Sequence, residues 1–411
     1  MSQVPLERAH AEELDAADPL AGFRARFALD DPSLIYLNGN SLGALPHATR
    51  RRVEEVLRRE WGAALARSWD HWVDLPGRAG DLVGELTGAA PGQVVVTDNT
   101  TVNLYKLISA ALDARPGRPA IVTDRDNFPS DRYVMEGIAA QRGAELRMLA
   151  TDIDQGLRAD EVRAAVDSGT ALVSLSHVAY RSGALADMAA ITAIAHEAGA
   201  LVLWDLCHSA GAVPVELDGC DVDLAVGCTY KYLNSGPGAP AFLYVSARLE
   251  EAQQEALRQP IWGWFSQRDQ FAMGPAYDPA PGIAKFMTGT PTILGTAAVE
   301  ESVRLLLEAG IGPMRAKSMQ LTSYLIELAD AWLAPLGCEL ATPRDPGRRG
   351  GHVTFRHPQA EQIVAQLAAA NIIIDYRTPE RFRLGASPLY TRFTDLWTAV
   401  GTARDIIESK L

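Results

Sequence analysis

One lysine in this chain stands where a free ammonium is badly placed. Lys231 lies in "DLAVGCTYKYLNSGPGAPAFLY", Asp223 to Tyr244, between an apolar run and a Gly/Pro-rich turn that feeds a second apolar run. Burying an unpaired charge is costly. Either its stem reaches out to solvent or its amine has a chemical partner, and an amine stripped of water is a nucleophile that condenses with aldehydes to a Schiff base. Asp205, 26 positions earlier in "LVLWDLCHSAG" with His208 three residues on, raises the same question with opposite sign. A carboxylate that ends a buried strand needs a cationic partner.

Two further groups follow apolar runs directly. In "VVVTDNTTVNLYKL", Asn99, Thr100 and Thr101 open a helix, so its free N–H groups and two hydroxyls offer a phosphate seat or an ordinary cap. In "TDRDNFPSDRY", Phe128 could stack on a planar ring, while Asp131 could contact that ring or cap the next helix. Taken together, a phosphate seat, a stacking aromatic, a buried carboxylate and a desolvated lysine are what pyridoxal 5'-phosphate (PLP) needs. The carboxylate keeps the pyridine nitrogen protonated and the lysine holds the aldehyde. No GxGxxG follows a strand, which leaves a dinucleotide enzyme without support.

The elements that must position these residues show in the patterning. From about residue 90 to 245, short apolar runs ("QVVVT", "AIVTD", "ALVSLS", "ALVLWD") alternate with amphipathic helical stretches. Continuously apolar strands separated by helices predict a mostly parallel sheet buried on both faces, and such sheets bind ligands beyond the carboxyl ends of their strands. After Gly282 come long helices ("TAAVEESVRLLLEAG", "MRAKSMQLTSYLIELADAWLAPLG") and short strands at "HVTFR", "IIIDYR" and "RFRLG". The expected division is a large domain over 46–291 and a small α+β domain made of 1–45 plus 292–411. The Pro-, Gly- and aromatic-rich stretch between them has weak periodicity, and long irregular segments are often functional.

Composition narrows the class. The 411 residues are 47% hydrophobic and 22% charged, near the averages of soluble globular chains. No apolar segment approaches the ~20 residues that span a bilayer, so no membrane partner is expected. A net charge of −13 argues against nucleic acid as a partner. The basic run in "PHATRRRVEEVLRREW" reads as the solvated side of a helix whose apolar face is Val53, Val56, Leu57 and Trp61. The acidic start lacks an apolar core, which points to the cytoplasm. Cys207, Cys220, Cys228 and Cys338 have no CxxC spacing, so neither zinc nor a disulfide framework is expected.

The chain resembles the kynureninase family along nearly its whole length. The resemblance runs through "DPLAGFRARF", "IYLNGNSLGALP", "TTVNLYKL", "NFPSDRY", "WDLCHSAG", "TYKYLNSGPG", "WGWF", "GTPTIL" and "RLGASPLYTRF". It implies an α/β, PLP-dependent transferase-like fold with a mostly parallel sheet in the large domain. It also implies hydrolytic Cβ–Cγ cleavage of L-kynurenine, or its 3-hydroxy form, to anthranilate or 3-hydroxyanthranilate and L-alanine, in tryptophan catabolism and NAD biosynthesis. By resemblance Lys231 is the catalytic lysine that binds PLP, Asp205 pairs with the pyridinium nitrogen, and Phe128 stacks on the ring beside Asp131 and His208. Thr100, Thr101, Ser176 and Tyr230 hold the phosphate or its surroundings, with Tyr230 also a proton relay. Trp264 and Thr290 match cofactor-site positions supplied by a neighbouring subunit, which implies a homodimer with shared sites. Arg383 matches the arginine that grips the substrate carboxylate, and Asn40, Ser41, His71 and Trp72 line the substrate pocket. The "SWDHWVDLPGR" region departs from the animal-type pattern, so the choice between kynurenine and its 3-hydroxy form stays open.

Other PLP enzymes of this fold type share Lys231 and Asp205. An aminotransferase would release a keto acid instead of anthranilate and alanine. A cysteine desulfurase would need a mobile nucleophilic cysteine late in the chain, where only Cys338 lies. A non-catalytic binding module would have lost Lys231, Asp205 or Arg383, and all three are present.

Overall fold

A computed structural model describes residues 6–253 and 255–409. In chain order its strands are β1 (Ile35–Tyr36), β2 (Val94–Val96), β3 (Ala120–Asp124), β4 (Glu145–Leu149), β5 (Thr170–Ser176), β6 (Leu201–Asp205), β7 (Leu224–Gly227), β8 (Phe242–Val245), β9 (Glu339–Leu340), β10 (His352–Arg356), β11 (Ile372–Ile373), β12 (Asp375–Arg377) and β13 (Arg381–Gly385). Seven form the central sheet in the order β2-β8-β7-β6-β5-β3-β4, and only β8 runs against the others. Strands β2, β6, β7 and β8 are buried at every position, because helices cover both faces of a parallel sheet. The edge strand β4, "ELRML", is half exposed. Its mixed polarity kept it out of the apolar-run pattern.

The helices start and stop where the local chemistry says they should. Asn99 caps the helix Thr100–Asp113 by accepting from the Val102 amide at 3.0 Å. Pro129 opens the helix Pro129–Arg142 and a left-handed Gly143 ends it. One expectation fails at Val53–Trp61. There the α-helix His47–Glu55 passes into a π-helix over Val56–Ala64, whose wider turn leaves only Val56 buried and sends Leu57 and Trp61 to the surface.

A second apolar cluster joins Ala11 and Leu37 to the helix Ile311–Trp332, the antiparallel sheet β12-β13-β10-β9 and the helix Phe393–Glu408. The short β1 pairs in parallel with β11, which ties the N-terminal segment to this cluster. The helix Ile293–Ala309 instead buries Val299, Val303 and Leu306 in the core beneath the large sheet.

Asp124, at the end of β3, gives a stability prediction. Burial lifts its carboxyl to about 6, above the usual value of about 4. The native state therefore keeps a proton that the unfolded chain releases between pH ~4 and ~6, so this residue lowers stability as pH rises through that window. Asp124→Asn keeps an acceptor for the Asp126 amide and the Thr151 hydroxyl. It is expected to raise unfolding free energy by about 1–2 kcal/mol at pH 8 and by little at pH 4. Denaturant titrations at the two pH values check this, and an equal gain at both would contradict it.

Candidate active site

The carboxyl ends of β2, β3, β5, β6 and β7 open on one cavity of about 150 Å³. Nine of the cofactor-site residues that the resemblance implies line it, Thr100, Thr101, Phe128, Asp131, Ser176, Asp205, His208, Tyr230 and Lys231, with Asn99 beside them. The sheet rule placed them, since each follows a strand on the same side.

Two carboxylates meet at the cavity floor. Asp205 ends β6, with Oδ1 accepting from the Cys207 amide at 2.8 Å and Oδ2 lying 3.4 Å from Ser176 Oγ. Ser176 is the register partner of Asp205, and its hydroxyl also donates to Asn127 Oδ1 at 2.7 Å. It therefore belongs to the Asp205 group. Asp131 is buried beside Asp205, and burial first, then the Asp205 charge, hold its carboxyl well above the usual carboxylate range. Two adjoining carboxylates cannot both ionise without a cation between them.

Lys231 differs from the other buried lysines. The chain has five lysines among 38 basic residues. Lys106, Lys285 and Lys317 are each paired with a carboxylate, of Asp98 at 2.8 Å, Glu250 at 2.6 Å and Asp18 at 2.6 Å. Lys231 Nζ instead meets the neutral ring of His208, 3.0 Å from Nε2, and sits 5.6 Å from the Phe128 ring centre. Burial, then the Lys231 charge, keep His208 well below its usual range. The Tyr230 phenol is pushed upward, chiefly by burial, so it is a neutral hydrogen-bonding group at neutral pH. The chain turns tightly here: the Gly43 amide donates to the Tyr230 carbonyl at 2.8 Å, and a Cβ on Gly43 would come within 2.3 Å of the Lys231 carbonyl. Only glycine lets the "NGNSLG" loop sit on the lysine turn.

Arg383 on β13 is fully buried behind this cavity. Its Nε and Nη2 grip Asp375 in a fork at 2.7 and 2.5 Å, and Nη1 donates to the Tyr180 carbonyl. With its amide oxygen turned toward the guanidinium, Asn40 accepts from Nη2 at 3.0 Å and from Nε at 3.2 Å. Tyr180, which lines the cavity and meets Phe128 edge-on at 5.2 Å, links this arginine to the site. Sequence reasoning missed Tyr180, although it lies four residues past β5, where the strand-end rule points. Ser41 sits half-buried in the loop next to Asn40.

Asn40, Ser41 and Arg383 do not line the cavity, and four further expected residues also lie outside it in their own chain. Glu60 holds both His71, Nε2 to Oε2 at 3.2 Å, and Trp72, Nε1 to Oε2 at 2.6 Å. Trp264 is exposed and donates to the Gln270 carbonyl at 2.6 Å, and Thr290 is exposed in the same irregular region. The segment before Thr290 is tethered to the helix Thr100–Asp113 by Lys106 Nζ, 2.6 Å from the Phe286 carbonyl, and to the turn before it by Thr288 Oγ1, 2.9 Å from Asp98. Cys338 is buried beside β9, and burial pushes its thiol up to about 12, unsuited to a mobile nucleophile.

The lining fits PLP on structural grounds. The carboxylate pair calls for a protonated ring nitrogen, the lysine without a carboxylate suits an aldehyde, and the open first turn of the helix Thr100–Asp113 with its two hydroxyls suits a phosphate.

The profile of the "Kynureninase C-terminal domain" matches residues 314–402, and that of the "DegT/DnrJ/EryC1/StrS aminotransferase family" matches residues 84–219. An apo cysteine desulfurase from Thermococcus onnurineus NA1 superimposes with a TM-score of 0.80 at 19% identity, covering 100% of both chains. A C-DES mutant with glycine covalently linked to its PLP cofactor superimposes at 0.81 with 20% identity, over 92% of this chain and 98% of the other. These similarities show the fold, that of the fold type I PLP enzymes. A kynureninase from Burkholderia pseudomallei (strain 1106a) is 44% identical, over 98% of this chain and 96% of that protein. One from Pseudomonas fluorescens is also 44% identical, over 97% and 94%. With 44% identity over nearly the whole of both chains, the chain belongs to the kynureninase family of PLP-dependent hydrolases.

Proposed function

We propose that the enzyme uses water to cleave the Cβ–Cγ bond of L-kynurenine or 3-hydroxy-L-kynurenine, releasing anthranilate or 3-hydroxyanthranilate and L-alanine, in cytoplasmic tryptophan catabolism that feeds NAD biosynthesis. The observation that carries the reading is Lys231 Nζ, buried against a neutral imidazole in a cavity floored by Asp205 and Asp131. Bound PLP supplies an electron sink for charge developing at the substrate α-carbon. Thr100, Thr101 and Tyr230 would hold its phosphate end and Asp205 its ring nitrogen, with Phe128 against the ring.

Lys231 acts as the base at the α-carbon, and its amine holds that proton while His208 Nε2 offers it an acceptor. Tyr230, neutral at working pH, relays a proton between the lysine turn and the phosphate end. Arg383 binds the α-carboxylate with Asn40. Asp375 takes the Nε and Nη2 edge and fixes the plane of its guanidinium, so the remaining N–H groups are oriented before substrate arrives. Ser41 lies beside Asn40 in the same loop, whereas His71 and Trp72, tied to Glu60 outside the cavity, would meet the aryl ketone only in the partner's site. Purified protein supplied with PLP is expected to form anthranilate and alanine in equal amounts from kynurenine. A keto acid in place of alanine would assign an aminotransferase instead.

Arg383→Lys should lower kcat/KM about 10²-fold, mostly through KM, since a lysine gives a point charge where a fork is needed. Steady-state kinetics check this, and an unchanged KM would remove Arg383 from the substrate site.

We also propose a homodimer in which Trp264 and Thr290 complete the partner's site, with 46–291 as the large domain and 1–45 plus 292–411 as the small one. Exposed Trp264 and Phe271 meet edge-on at 5.8 Å, and Trp262 and Met273 of the same segment are exposed as well, an apolar exposure of the kind that marks an interface. Mixing inactive Lys231→Ala protein with an inactive Trp264→Ala,Thr290→Ala protein should restore about a quarter of wild-type activity through mixed dimers. No recovery after confirmed subunit exchange would contradict shared sites.

A further inference from the structure

Arg181 follows Tyr180 in the turn after β5, and its guanidinium meets partners from three separate parts of the chain. It lies over the Tyr180 ring, 4.8 Å from the ring centre. It forms an ion pair with Asp126, in the loop between β3 and the helix Pro129–Arg142. Its Nε donates to the carbonyl of Thr378 at 2.8 Å, in the turn that joins β12 to β13. The backbone is held as well, since the Arg181 carbonyl accepts from the Thr354 hydroxyl of β10. The side chains of Arg181 and Asp126 are only 18% and 14% exposed, so solvent and salt screen this pair less than a surface one.

Each partner leads to a different part of the site. The Asp126 loop runs directly into Phe128 and Asp131, both in the cavity wall. The Tyr180 ring stands edge-on to Phe128, with the two planes at 89°, and a cation over a tyrosine face holds that ring in place. The β12–β13 turn joins the strands that carry Asp375 and Arg383, and Arg383 Nη1 donates back to the Tyr180 carbonyl. The contacts therefore close a circuit: Phe128, Tyr180, Arg383, the β12–β13 turn, Arg181 and Asp126. A guanidinium can serve all three partners at once because it has a flat face and donors on separate edges, which an ammonium lacks.

We propose that Arg181 is a positioning residue that couples the cofactor seat to the substrate-carboxylate seat. It holds the Tyr180 ring against Phe128 and anchors the β12–β13 turn beside that ring, so that Phe128 and Arg383 keep a fixed separation. The inference rests on the reading of Phe128 as the group against the PLP ring and of Arg383 as the group that binds the substrate carboxylate.

The test separates the two seats. Arg181→Leu removes all three contacts, whereas Arg181→Lys keeps a cation for the ring and for Asp126 but has no fork with which to reach Thr378 as well. In PLP titrations of cofactor-free protein, Arg181→Leu is expected to weaken PLP binding about tenfold and Arg181→Lys by less than about threefold. In steady-state kinetics both variants should raise KM for kynurenine about tenfold and leave kcat within about threefold, the pattern of lost binding rather than lost chemistry. In a Tyr180→Leu background, Arg181→Leu should add little to the loss of PLP affinity, because the ring it acts through is gone. Asp126→Asn breaks the ion pair without altering Arg181 and should weaken PLP binding in the same direction. Wild-type PLP affinity and KM in folded Arg181→Leu, with only the melting temperature lowered, would mark a merely structural residue and overturn the proposal. So would unchanged PLP affinity in Asp126→Asn, a result available even if the leucine variant does not fold. Wild-type protein that takes up PLP yet leaves kynurenine intact would overturn the functional reading instead, and the PLP affinities of the variants tell that failure apart from a failure of this proposal.

Discussion

Lys231→Ala protein is expected to fold normally and to lose at least about 10³-fold in kcat/KM, the scale of removing a positioned general base. Both halves follow from its surroundings. Lys231 has a neutral imidazole for its hydrogen-bond partner, so truncation breaks no ion pair with a carboxylate and the melting temperature should move little. Truncating Lys106 to methionine should do the reverse. It leaves Asp98 without its 2.8 Å ion pair and frees the Phe286 carbonyl, at a cost of about 3–5 kcal/mol of stability. Thermal melts and steady-state kinetics on the two variants separate a reacting lysine from a structural one. A Lys231→Ala enzyme that turns over at a tenth of the wild-type rate would place the base elsewhere.

Asp205→Asn should cost about 10²- to 10³-fold in kcat, the range for losing one preorganised electrostatic contact. The loss should not be complete, because Asp131 lies beside it. The Asp205 charge is the second cause, after burial, of the raised Asp131 carboxyl. Once that charge is gone, Asp131 ionises more readily and can serve the same cation in part. The double variant Asp205→Asn,Asp131→Asn should therefore fall further than the product of the two single losses, as expected for groups in contact. Kinetics of the four proteins form the cycle, and simple additivity would show that the two carboxylates do not share a partner.

The cavity floor was legible in the sequence because each of its residues ends or follows a continuous apolar run, and a parallel sheet sends all such ends to one side. Asp205, Lys231, Phe128 and Thr100 were readable for that reason. Arg383 was harder. Its strand "RFRLG" looks like an ordinary alternating edge, and only the motif after it marked the residue. Glu60, which holds the expected His71 and Trp72 outside the cavity, was not readable, because it sits in a π-helix and hydrophobic periodicity assumes 3.6 residues per turn. Trp264 and Thr290 face outward in their own chain, so no pattern within one chain can show what they serve.

Borohydride reduction of the PLP-loaded protein, followed by peptide mapping, tests the central claim most directly. The account predicts that the reduced pyridoxyl group is carried by Lys231 alone and is absent from the Lys231→Ala protein. Attachment at Lys106, Lys285 or Lys317, or no attachment at all, would contradict it.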